Sequence, residues 1–227
     1  MNLFSAKITD LSHLVTEQSP TWDNVSIKLT THYESITENS DAKFKIQCLE
    51  TPMGIGTHID LPNHLNKNLT TADKFNIDQP FYDTYVIKLS HFMQENFKIS
   101  LQHIHAFEKK YGTIKANSLI FFYTGWDQFW ENAERYRNNL IFPSISPEAA
   151  KYLVDRNIAG IGIDTLSPDA GNSMFEVHQE MLQNGKFILE NVANLSLIPE
   201  INAKTLVLPL KLSNATESPI RLIALHE

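Results

Sequence analysis

Cysteine is nearly absent from this chain: Cys48 is the only one among 227 residues. An intrachain disulfide is therefore impossible and a cysteine-rich zinc module is excluded, so any metal must be held by His and carboxylates. Also missing is a run of Lys and Arg dense enough to track a phosphate backbone, and the formal net charge is -7. Nucleic acid is not an expected partner. No run of roughly 18 apolar residues occurs. The opening MNLFSAKITDLSHLV lacks a basic segment followed by an apolar core and a small-residue cleavage site. The expectation is a cytoplasmic protein without membrane association. No internal repeat and no linker rich in Gly, Ser or Pro marks a boundary, so residues 1–227 are expected to form one domain.

What the chain does contain is the composition of an ordered globular protein, 42% hydrophobic and 20% charged, at a length suited to a single α/β or α+β domain with its own core. Short β-rich runs are expected over residues 7–11, 25–33, 44–49, 55–60, 84–89, 118–123, 158–163, 187–190, 206–212 and 220–225. Helices are expected over 101–111, from the Ser146-Pro147-Glu148 start to about 156, and over 176–184 with Gly185 as the stop.

The chemistry concentrates in Gly54-Ile-Gly-Thr-His-Ile-Asp-Leu-Pro-Asn-His64. If residues 55–60 are extended, His58 and Asp60 project from one face while Ile59 points to the other. Pro62 turns the chain so that His64 can approach the same space. An imidazole and a carboxylate suit Zn or Mn, but two ligands from one strand are too few. The strongest further candidates are His178, at the start of a helix, and Glu190, at the end of the strand after the Gly185 turn. Each has a plainer reading. A lone His-x-Asp is more often a hydrogen-bonded pair, and His178 alone is an ordinary first-turn residue. Glu190 follows Phe187, Ile188 and Leu189, where burial would make an unpaired charge costly, and Asp164 after Ile161-Gly-Ile163 poses the same question. His13, His32, His91, His103, His105 and His226 are expected to be surface or structural. Trp22, Phe75, Trp126 and Phe129 are candidates for a substrate-facing wall.

These residues resemble the cyclase-like metal hydrolases that include bacterial kynurenine formamidase and isatin hydrolase. The resemblance runs through Asp10-Leu-Ser-His13, Gly56-Thr-His-Ile-Asp-Leu-Pro-Asn-His64, Thr124-Gly-Trp126, Gly162-Ile-Asp-Thr-Leu-Ser-Pro-Asp169, His178, Leu189-Glu-Asn191, Asn194-Leu195 and Ser218-Pro-Ile-Arg221. It implies an α/β fold: a compact domain of the swivelling β/β/α type with a central β-rich, barrel-like layer flanked by helices. It further implies a homo-oligomer, dimer or tetramer, with one or two divalent ions, Zn or Mn. The implied activity is hydrolysis of a C–N bond in a small aryl formamide or cyclic amide by metal-activated water. His58 and Asp60 would be metal ligands, Asp60 a bridging one. His178 and Glu190 would complete the second ion's shell, and His64 would transfer protons.

The chain departs from that pattern at one ligand. The usual motif begins with a metal-binding His four positions before His58, and Gly54 stands there. A single-metal site, or a second site completed by another residue, is then expected over the full two-ion arrangement. Tyr123 stands where an Arg often precedes Thr-Gly-Trp, and Asn214-Ala-Thr-Glu217 replaces a commonly Gly-rich turn. The alternatives are a hydrolase of another cyclic amide, imide or lactone, and a catalytically impaired metal- or ligand-binding homologue.

Overall fold

The computed structural model describes residues 6–37, 41–92 and 94–227. Its elements begin with β1 (Lys7–Asp10) and a ribbon of β2 (Lys28–Ser35) and β3 (Lys43–Glu50), followed by β4 (His58–Asp60), β5 (Phe81–Lys88) and β6 (Lys98–Ile99). Next come α1 (Leu101–Tyr111), β7 (Leu119–Tyr123), α2 (Ala133–Arg137), β8 (Ser144–Ile145) and α3 (Pro147–Asp155). The chain ends with β9 (Gly160–Ile163), α4 (Glu176–Gln183), β10 (Phe187–Glu190), β11 (Ala203–Leu206), β12 (Glu217–Pro219) and β13 (Ile223–His226).

Local chemistry explains the helix ends. Ser146 accepts a hydrogen bond from the Ala149 amide at 3.2 Å and Pro147 opens α3, where its missing N–H costs nothing. After α4 the Gly185 amide donates to the Leu182 carbonyl and the Lys186 amide to that of Met181, with Gly185 at φ +72°. That paired closure needs a left-handed residue, which glycine supplies.

The runs 25–33 and 55–60 begin as strand only at Lys28 and His58, and two runs near the C-terminus differ further. The run 206–212 leaves the sheet at Leu206, because Pro209 has no amide to donate to a ladder and Leu208, Leu210 and Leu212 are exposed. The run 220–225 is pairing-competent only from Ile223, while β12 before it ends at Pro219 on the sheet edge, where proline is tolerated.

Among the described residues, nine strands form one curled sheet in the order β1-β13-β11-β5-β7-β9-β10-β4-β12. The central β5, β7, β9 and β10 are parallel and both flanks are antiparallel. Alternation sends Ile120, Phe122, Ile161, Ile163 and Ile188 into a core beneath the helices, and Leu119, Phe121, Phe187 and Leu189 into a second core on the other face. The architecture is the α/β arrangement of a half-barrel sheet with helices against it. No helix among the described residues is long and apolar enough to cross a membrane.

This layering positions the chemistry. Ile59 and Leu61 belong to the second core, so His58 and Asp60 must face the helix side, toward α4.

Candidate metal centre

Strand register brings the polar residues together. β4 lies between β10 and β12, with His58 opposite Glu190 and Asp60 opposite Glu217. Directly opposed residues share a face, so four polar side chains crowd one side of three short strands. α4 adds His178 from above, one residue after Val177 anchors the helix in the core. His58, Asp60, His178 and Glu190 are all buried.

Each imidazole is held by one nitrogen and aims the other inward. His58 Nδ1 lies 2.9 Å from the Gly56 carbonyl, which can only accept, so this nitrogen carries the hydrogen. His178 Nδ1 donates likewise to Asp169 at 2.8 Å. The inward Nε2 atoms then meet carboxylates. His58 Nε2 is 3.5 Å from Asp60 Oδ1 and 3.3 Å from Glu190 Oε2. His178 Nε2 is 3.4 Å from both Asp60 Oδ2 and Glu190 Oε1.

Electron pairs facing electron pairs in a buried site call for a positive charge between them. Burial lowers the pKa of His58, but its hydrogen bond to Glu190 and the charges of Asp60 and Glu190 outweigh this and push it up to about 9. His178 is raised well above its ordinary value in the same way, Asp169, Asp60 and Glu190 overcoming burial. Burial would raise Asp60, yet the hydrogen bond from His178 and the charge of His58 hold it below the usual carboxylate range.

A divalent metal fits this demand. Asp60 Oδ1 and Glu190 Oε1 are buried without a hydrogen-bond partner. Asp60, His178 and Glu190 can each offer a ligand atom within 4.8 Å of the others, as can His58, Asp60 and Glu217. Inner imidazole nitrogens fixed by outer Nδ1–H bonds are the usual arrangement around a metal.

His64 stands at the rim. The Pro62–His64 turn continues from β4 and carries the imidazole back toward the cluster, 36% exposed, with Nδ1 3.6 Å from Glu217 Oε2. Burial raises the Glu217 carboxyl, with Asp60 and Glu190 adding to the effect and His64 and His58 opposing it.

The cluster floors a cleft of about 600 Å³, also lined by Trp22, Val25, Leu65, Met174 and Phe175. Of the aromatic residues expected there, the structure brings in Trp22 alone. Phe75 packs edge-on against Phe187, ring centroids 5.8 Å apart, in the core on the opposite face of the sheet. Trp126 is buried in a third core with Phe129 beside it, its Nε1 donating to the Tyr136 carbonyl at 2.9 Å. Both Phe75 and Trp126 are therefore packing residues: neither ring reaches the cleft.

Phe175, Asp169 and Glu217 join the site without a signal in residue spacing. Phe175 has φ +57°, an uncommon conformation for a bulky residue, and its ring lies between Trp22 and His178 at 5.7 Å from each. Nothing in residue spacing announces that backbone conformation. Asp169 reaches His178 across nine residues, beyond any helical periodicity. Asp164 accepts from the amides of Thr124, Gly125 and Trp126 and from the Thr124 hydroxyl, a loop clamp away from the cleft, while burial and the charge of Asp127 outweigh these hydrogen bonds and push its pKa up to about 7. His13 stacks on Trp130 at 4.1 Å.

The family model described as Cyclase matches residues 9–170 of the chain. Isatin hydrolase from Roseibium aggregatum is 28% identical over 185 residues, spanning 75% of this chain and 70% of that protein. Kynurenine formamidase from Paracidovorax citrulli is 28% identical over 171 residues, 74% of each chain. Among solved structures, isatin hydrolase A from Ralstonia solanacearum superposes with a TM-score of 0.86 at 22% identity, covering 98% of this chain and 92% of that one. An isatin hydrolase bound to the product analogue thioisatinate gives 0.86 at 24% identity, covering 97% and 92%. Both share this fold.

Proposed function

This chain belongs to the cyclase family, and on that footing we propose that it is a metal-dependent hydrolase that cleaves the C–N bond of a small cyclic amide or aryl formamide. The observation that carries the reading is the convergence of His58, Asp60, His178 and Glu190, with two Nδ1-anchored imidazoles aimed at carboxylate oxygens that have no hydrogen-bond partner. Relatives named isatin hydrolase and kynurenine formamidase support the bond class.

In this reading His58, Asp60, His178 and Glu190 hold the metal, Zn or Mn. When bound, the ion supplies Lewis acidity, polarising the substrate carbonyl and lowering the pKa of water from 15.7 toward ~7. The chain's own groups do the rest. Trp22 and Phe175, with Met174, form an apolar wall against which an aryl ring can lie, setting the carbonyl toward the cluster. Glu217 faces Nδ1 of His64 and leaves Nε2 to take the proton of the attacking water and return it to the leaving nitrogen. His64 is the one imidazole of the group exposed enough to exchange that proton with solvent.

The reading takes residues 1–227 as one domain, working in the cytoplasm as a homo-oligomer. The β2–β3 ribbon supports assembly, because Leu29, Tyr33, Phe44 and Leu49 are exposed along it.

The test is metal content per chain, together with hydrolysis of isatin, N-formylkynurenine and a panel of cyclic amides, imides and lactones. Bound Zn or Mn with turnover of an amide or formamide is the expected outcome. A fully metal-loaded protein inert across the panel would sink the hydrolase reading.

A further inference from the structure

We propose that Glu217 is a metal ligand, completing a cation subsite with His58 and Asp60 in the space that Gly54 leaves free. The inference rests on the metal-hydrolase reading and specifies part of its ligand set.

The geometry is one of exclusion. A Cβ on residue 54 would fall 2.6 Å from Glu217 Oε1 and 3.2 Å from His58 Nε2, so a side chain at 54 and the carboxylate of 217 compete for one volume. Glycine cedes it. Register does the rest: β12 pairs Glu217 directly opposite Asp60, which places the carboxylate on the same face as the cluster. The ligand atoms of His58, Asp60 and Glu217 lie within 4.8 Å of one another.

Asp60 has an oxygen for each of two subsites. Its Oδ1 turns to His58 and its Oδ2 to His178, and Oδ1 is buried without a hydrogen-bond partner. Glu190 divides in the same way, Oε2 to His58 and Oε1 to His178. With Asp60, Glu190 and Glu217 converging and Asp169 behind His178, a single dication leaves two of four negative charges uncompensated in a largely buried site, and a second one balances them. Glu217 also divides its work, with Oε1 over Gly54 and Oε2 toward His64. A subsite of one imidazole and two carboxylates is a harder donor set than an imidazole-rich one, and it favours Mn over Zn compared with its imidazole counterpart.

The experiment titrates Mn²⁺ and Zn²⁺ into chelator-stripped protein by calorimetry, with free Mn²⁺ followed by electron paramagnetic resonance. Wild type is expected to take two equivalents. Glu217→Gln should lose one of them, or weaken it roughly 10-fold or more, and leave the other unchanged. Gly54→Ala, whose methyl group displaces the carboxylate, should lose the same equivalent. The paired exchange of Gly54→His with Glu217→Ala should restore it with its preference moved toward Zn. Melting of each metal-free variant checks that it folds. Two undiminished equivalents in Glu217→Gln overturn the ligand assignment and leave the hydrolase reading standing, as does a wild type that takes one equivalent regardless of residue 217. A wild type that takes no metal overturns both.

Discussion

Asp169 accepts hydrogen bonds from both the Nδ1 and the backbone amide of His178, at 2.8 and 2.9 Å, and a third from the Val177 amide at 3.1 Å. One carboxylate thus satisfies amides in the first turn of α4 and sets which nitrogen of His178 faces the cluster. Helix and imidazole are positioned by the same group.

Asp169→Ala should therefore weaken metal binding by roughly 10- to 100-fold through loss of ligand orientation. The lost amide acceptor should cost about 1 kcal/mol of stability besides. Calorimetric metal titration and thermal melting separate the two effects. Unchanged metal affinity would show that the Nδ1 contact does not orient His178.

His64→Ala should lower kcat by roughly 10²–10⁴-fold while metal content stays at the wild-type level. The contrast with His178→Ala, which should lose metal and rate together, distinguishes a proton carrier from a ligand. Steady-state kinetics with elemental analysis of the same samples makes the comparison.

The metal-free protein should melt at lower temperature as pH rises from about 6.5 to about 9. His58 is pushed up to about 9 from an ordinary value of 6.5, so its contribution is fully present below 6.5 and is lost as pH climbs through 9. His178 shifts in the same direction. Saturating Zn or Mn replaces the proton as the positive charge and should remove this dependence, while metal affinity itself rises with pH. A metal-free melting temperature that is flat or rising over that window would falsify the assignment of proton-competing imidazoles.

Trp22→Ala should raise KM for an aryl substrate with a smaller effect on kcat, because the ring lines the cleft without touching the metal cluster. Trp126→Ala should instead destabilise the fold by about 3–5 kcal/mol, the cost of emptying a large core position, since that ring is buried in the third core. Comparing KM for the first with the melting temperature of the second tests the division.

Much of this arrangement was legible in the chain itself. The alternation His58-Ile59-Asp60 places two candidate ligands on one face of any strand, and Pro62 turns His64 back toward them. Ser146-Pro147 and Gly185 mark helix ends through backbone chemistry that acts within a few residues. Aromatic side chains were not legible in this way. Trp126 and Phe75 carry the same large apolar surface as Trp22, and only the layer each falls in separates core from cleft.

Sequence by itself determined the donor types, a cysteine-free set of His and carboxylates, and their local directions, because strand and helix periodicities are properties of the backbone. Tertiary structure alone decided which of these groups meet. Glu190 and Glu217 reach His58 and Asp60 through strand register across β10 and β12, and Asp169 reaches His178 across a loop. Register is set by burial of Ile59 and Leu189 in a core built from distant parts of the chain. The consequence of Gly54 was decided there as well: a missing side chain reads as a lost ligand in one dimension, and in three it is the room that a carboxylate 163 positions away occupies.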